Sequence, residues 1–149
     1  MKTRVYALLI AVVFSAALYG QNTDSLETKL NNRMDYLSGG HKIYNEFFFE
    51  MKKAVLNADS LKVADLIKYP ISIKINGKKT KIKNNREFLK HYSRIIDAQI
   101  IKTVRNQKYA ELFANYQGVM IGNGEIWFSG VCLDPKCKNT VVKIIAVNK

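Results

Sequence analysis

Apolar positions along this chain recur first at helical and then at strand spacing, and the change divides it into elements. From Ser25 to about Leu37, the residues Leu26, Leu30, Met34 and Leu37 keep a helical period, which Ser38-Gly39-Gly40 ends. A stronger helix is predicted from about His41 to Ala58. Its stripe is Tyr44, Phe47, Phe48, Met51, Ala54, Val55 and Ala58, and Glu46, Glu50, Lys52, Lys53 and Asn57 fill the opposite side. Asp59 or Ser60 suits the N-cap of a short third helix carrying Leu61, Ala64 and Leu66. Pro70 stops it, because the residue before a proline is pushed out of helical geometry.

Beyond Pro70 the period falls to two. Ile71, Ile73 and Ile75 alternate with Ser72, Lys74 and Asn76, the pattern of a strand with one buried face. Asn76-Gly77 predicts a tight hairpin, since both central residues of a type I′ turn need positive φ. The returning strand, Lys78–Lys83, is mostly polar, as an edge strand protected by lysines would be. Asn84 with Glu87 three residues on reads as a capping box for a helix with Phe88, Leu89, Tyr92, Ile95 and Ile96 inward. From Ala98 onward the pattern predicts strands at Gln99–Arg105, about Ala110–Asn115, Gln117–Ile121, Glu125–Leu133 and Thr140–Val147. Helices gathered ahead of a run of antiparallel strands give an α+β class.

Lys2 and Arg4 precede an apolar run from Val5 to Leu18, shorter than the about 20 residues a membrane-crossing helix needs. With Gly20 as the small residue, this reads as a secretory leader over residues 1–20. A polar and helical lead-in would then occupy 21–40 and the main domain 41–149. No later stretch has spanning length, so a periplasmic or secreted bacterial location is expected.

Charge comes next. The chain carries 24 Lys plus Arg against 12 Asp plus Glu, a net +12, which falls to +10 when Lys2 and Arg4 leave with the leader. Such a field favours an acidic partner, and an anionic envelope polymer, a small ligand or an envelope protein all fit. Export argues against nucleic acid. Cys132 and Cys137 flank Leu133-Asp134-Pro135-Lys136, and Asp-Pro is turn chemistry, so a structural disulfide suits an oxidising compartment. No second cysteine pair exists and His41 and His91 are distant, so neither a metal nor a cofactor is expected.

The order of elements resembles the nuclear-transport-factor-2-like, or cystatin-like, α+β roll. The residues that carry the likeness are Phe47-Phe48-Phe49 in the long helix, the Asp59-Ser60 restart, Tyr69-Pro70 before a strand, the Phe88…Tyr92 helix and the hairpin from Gly118 to Phe128. It spans about residues 41–148 and is similar also to small exported bacterial proteins of that texture. The resemblance implies N-terminal helices packed on a curved antiparallel sheet that leaves a cone-shaped cavity. The superfamily holds isomerases, dehydratases, cyclases, transport factors and binding domains, so it does not choose among functions.

Candidate chemistry is sparse. Proton transfer in a cone would need an acid or base beside the substrate, and His91, Glu125, Asp65 and Asp97 are the residue types available. Tyr44, Tyr92 and Trp127 would line the pocket. His91, Asp65 and Asp97 are expected on solvated helix faces. Glu125, beside Trp127 and after a glycine turn, suits either a cavity mouth or an ordinary strand end. Lys79, Lys81 and Lys83 share a strand face with Lys74 and Lys78 on the hairpin neighbour, and Arg86 and Lys90 lie just beyond. These features predict an exported, non-catalytic binding domain that recognises an envelope component, a small ligand or a partner protein. The alternatives are a cone-pocket enzyme and a structural envelope protein using the basic edge.

Overall fold

In the computed structural model of the protein, residues 24–37 and 40–149 are described. The expected leader at 1–20 lies outside the described residues. The first helix, α1, covers residues 24–37. It sends Leu30 and Met34 into the core and leaves Leu26 and Leu37 exposed. Its Asn31 accepts a hydrogen bond from the Tyr109 hydroxyl at 2.8 Å, so the lead-in is fastened to the rest of the chain.

Helix α2 runs His41–Leu56 and buries Tyr44, Phe47, Phe48, Met51, Ala54 and Val55. Each large apolar side chain removed from water contributes roughly 1.5–3 kcal/mol, so this stripe is the spine of the core. The stripe does not include Ala58, which is exposed and sits at φ 53 where the chain leaves the helix. Asp59 accepts from the Lys62 amide and caps α3, Ser60–Asp65. There Val63 and Ala64 are buried while Leu61 faces solvent, because the helix turns its other side to α2.

Strands β1 (Ile71–Ile75) and β2 (Lys78–Ile82) form a separate two-stranded antiparallel sheet, joined by Asn76 at φ 51 and Gly77 at φ 77. Asn84 caps α4, Asn85–Ile95. The capping box is displaced by one residue: the Glu87 carboxylate accepts from the Lys83 amide at 2.7 Å.

The segment after Asp97 is not a strand. Residues Ala98–Asn106 form helix α5, whose first turn is capped by the Asp97 carboxylate accepting from the Ile100 amide at 3.0 Å. Ile96, Ile100 and Val104 are buried at four-residue spacing, and that face, together with the cap, outweighs the strand preference of the β-branched residues. The expected strand at Ala110–Asn115 is likewise shorter. A 3-10 turn at Tyr109–Glu111 precedes β3, Phe113–Asn115.

Strands β3, β4 (Gly118–Ile121), β5 (Ile126–Cys132) and β6 (Thr140–Val147) follow in spatial order as an antiparallel meander. The helices pack against this sheet, and the fold is α+β. Phe128 is fully buried under α2, with its ring 5.1 Å from Phe47 and 6.2 Å from Tyr44. The Tyr44 hydroxyl accepts from the Gly130 amide at 2.9 Å, which fixes the helix over the sheet. The far edge of β6 is met by the end of α3, where Leu66 accepts from Ile144 at 2.8 Å and Lys68 donates back at 2.9 Å. Among the described residues every buried side chain in the core is apolar or aromatic. No described helix is long and apolar enough to cross a membrane.

Candidate functional site

Alternation along β4 and β5 decides what each face of the sheet offers. Val119, Ile121, Ile126 and Phe128 point into the core. Their neighbours Met120 and Trp127 therefore point the other way. Register aligns Phe113 with Met120, Met120 with Trp127, and Trp127 with Ala146. Residues opposite one another share a face, so an apolar row crosses all four strands on the side away from α2. Phe113 at one end is 46% exposed, with the Arg33 guanidinium 5.7 Å from its ring centre.

At the Trp127 end this row sinks into the largest recess among those described, about 630 Å³. The apolar floor is Trp127, Met120, Ile100 and Gly124. Gly124 has φ 110, and a Cβ there would lie 3.4 Å from the indole nitrogen, so glycine both makes the turn and leaves the ring uncovered. The rim is polar: Asp97, Gln99, Asn123, Glu125, Asn148 and Lys149.

Three anchors hold the rim. Asn148 donates from its backbone to Glu125 O at 2.8 Å and from its side chain to Gly124 O at 2.7 Å. Lys149 reaches Asp97 at 2.5 Å and also donates to Arg94 O. Burial by itself would raise the Asp97 carboxyl. The Lys149 ammonium and the amides of Ile100 and Gln99 outweigh it, and the pKa is lowered. The Glu125 carboxylate accepts from the Asn123 amide at 2.6 Å and so closes the β4–β5 turn. The Trp127 indole N–H and the Gln99 and Asn123 side chains make no hydrogen bond within the described protein, which leaves donors and acceptors facing the recess.

The three aromatic residues expected to line one cone do not meet. Tyr44 borders a different recess, about 200 Å³, near Gly118, Gly130 and the cysteine loop. Tyr92 packs edge-on against Phe88 at 6.0 Å, on the opposite side of the core. Only Trp127 lines the large groove. The cause is packing: Phe47, Phe48 and Phe128 occupy the space between helix and sheet.

The acid and base candidates separate in the same way. Glu125 and Asp97 share the groove, although Asp97 is a helix cap and not a solvated surface position. Asp65 is exposed on α3 and accepts from the Asn85 side chain. His91 is half-buried instead of solvated, and its Nδ1 is buried without a hydrogen-bond partner. Among the described residues no three His, Cys, Asp or Glu side chains gather as a metal site would need. Met120, Gln99 and the tail residues Asn148 and Lys149 line the groove without having been singled out by the sequence pattern.

The basic residues form a ribbon on β1–β2. Lys74 lies directly opposite Lys79, and Ser72 opposite Lys81, all on the outward face. Lys83 continues the row just past β2. Lys78 belongs to β2, opposite Ile75, so it points to the other face and does not extend the row from β1. Cys132 and Cys137 stand at disulfide distance, with Cα atoms 4.8 Å apart, and Asp134 accepts from the Lys136, Lys138 and Asn139 amides in the loop between β5 and β6. Neither a family model, nor a curated protein, nor a solved structure matches this chain.

Proposed function

We propose that the protein is an exported, non-catalytic binding domain whose ligand site is the Trp127 groove. The observation that carries this reading is the groove itself: an open indole face and a methionine at the floor, with the Gln99 and Asn123 side-chain amides at its rim. Ligand sites of small proteins combine apolar walls with a few placed polar groups in this way. Its volume, about 630 Å³, falls within the about 300–1,000 Å³ usual for such sites. The ligand class that fits is a small molecule with one flat apolar face and a hydroxylated or amide edge.

Glu125 supports binding over proton transfer, because one carboxylate oxygen is already held by the Asn123 amide at the turn. The leader at residues 1–20, the periplasmic or secreted location and the cysteine pair belong to the same reading, since short disulfide loops suit oxidising compartments. So does the likeness to nuclear-transport-factor-2-like rolls. What supports it is the long aromatic helix packed on an antiparallel sheet, with the ligand site moved to the outer face.

Trp127 is the only tryptophan in the chain, so its emission reports on the groove alone. Titration with the neutral dye N-phenyl-1-naphthylamine should quench Trp127 by energy transfer. Met120→Glu, a change at a half-exposed position, should abolish that transfer while the protein still unfolds cooperatively. Absence of transfer in the wild-type protein, or transfer unchanged by Met120→Glu, would remove the groove as the site.

A further inference from the structure

We infer that the outward face of the β1–β2 hairpin is a docking surface for an acidic polysaccharide, distinct from the indole floor of the Trp127 groove although Asn148 and Lys149 border the recesses at both. From Leu66 to Arg86 the chain holds seven basic residues and no acidic one. They are Lys68, Lys74, Lys78, Lys79, Lys81, Lys83 and Arg86, and each is exposed. Among the described residues no carboxylate forms an ion pair with the lysines of this run, whereas Lys62, Lys108 and Lys149 elsewhere each hold one.

The arrangement works against the free protein. Lys74 and Lys79 face each other across the strands, a placement in which like charges repel. Folding gains nothing from that repulsion, and a bound anion would remove it. Alternate residues of a strand share a face about 6.6–6.8 Å apart, so Lys79 and Lys81 present their charges side by side on the outward face. Lys74 widens the row into a ribbon two strands across. Beside it, a recess of about 290 Å³ lined by Ser72, Lys74 and Lys79 offers hydroxyl and ammonium groups together.

Other polyanions fit the ribbon less well. No exposed large apolar side chain lies between Leu66 and Arg86, so nothing there would insert among lipid headgroups. The one aromatic residue in the run, Tyr69, is packed on the core and donates to Ala64 O at 3.1 Å. No ring is therefore free to stack on bases. A chain recognised through evenly spaced charges and hydroxyls needs neither feature.

The test is a titration of the full protein with polygalacturonate at low ionic strength. K74Q/K79Q/K81Q should weaken binding at least about tenfold, and about 0.5 M salt should abolish it in the wild-type protein. A control triple variant with the same charge loss elsewhere, K42Q/K102Q/K138Q, should weaken it less than about threefold. Equal weakening by both triples would reduce the effect to net charge and overturn the proposal. So would a wild-type protein that ignores polygalacturonate, or one that instead binds phosphatidylglycerol vesicles through the same three lysines. Because Trp127 is not part of the ribbon, failure here leaves the dye experiment on the groove intact.

Discussion

Replacing Asp97 separates two roles that the structure gives one carboxylate. Asp97 caps α5 through the Ile100 amide and pairs with Lys149 across the rim of the groove. Losing a cap costs about 0.5–2 kcal/mol. The ion pair is a quarter to a third exposed, so solvent screening limits it to about 1 kcal/mol or less. Asp97→Ala loses both and should destabilise by about 0.5–3 kcal/mol. Asp97→Asn keeps a good cap and loses only the charge, so it should cost about 1 kcal/mol or less.

The pH dependence fixes the sign. The folded pKa of Asp97 is lowered, so its charge stabilises the fold above the ordinary carboxylate pKa of about 3.9. That contribution is lost as pH falls through the lowered folded value. The difference between wild type and Asp97→Asn, measured by urea unfolding, should therefore be present at pH 7 and shrink toward zero near pH 2. Asp97→Ala should remain less stable at both. If Asn and Ala behave alike, or the gap to Asn does not change with pH, then Asp97 does not act as this cap and ion pair. The helical assignment of residues 98–106 would lose its main support.

The remaining predictions concern packing. Phe128→Ala should cost about 3–5 kcal/mol in urea unfolding, because a ring in contact with Phe47 is replaced by a cavity under α2; a loss below about 1.5 kcal/mol would show that the core is loosely filled there. Tyr92→Phe should leave stability unchanged or raise it slightly. Its hydroxyl is buried without a partner, and burial followed by the Asp59 charge raises its pKa; a measured loss above about 1 kcal/mol would mean the hydroxyl is bonded after all. Reduction of Cys132–Cys137 should lower stability by about 2 kcal/mol, the chain-entropy value for so short a loop, and leave dye binding at Trp127 unchanged. A larger loss accompanied by loss of dye binding would show that the loop supports more than its own ends.

Several elements could be read from the chain because local and tertiary demands agreed. The α2 stripe, the Asn76-Gly77 hairpin, the Asn84 and Asp59 caps and the Thr140–Val147 strand all follow from period and turn chemistry. Helix α5 did not, since Ile100, Ile101, Thr103 and Val104 favour strands and only Asp97, three residues before Ile100, signals a cap. The candidate site was half visible. Trp127 and Glu125 stood out as residue types at a glycine turn. Their assembly with Asp97, Asn148 and Lys149 depends on register and on where the tail folds back, and neither leaves a periodic trace. Tyr44 and Tyr92 were misplaced for a related reason: a helical stripe shows that a ring faces inward, but not whether other rings fill the space before it.

The proposed ligand site lies on the outer sheet face at Trp127 and not between helix and sheet. With one tryptophan in the chain, the indole N–H gives a single resonance in a proton–nitrogen spectrum. On addition of N-phenyl-1-naphthylamine, that resonance should shift together with the side-chain amides of Gln99 and Asn148, while the Gly130 amide under Tyr44 stays in place. Shifts concentrated at Gly130 and the residues around Phe47, with the indole unmoved, would put the ligand between helix and sheet and rule out the outer face.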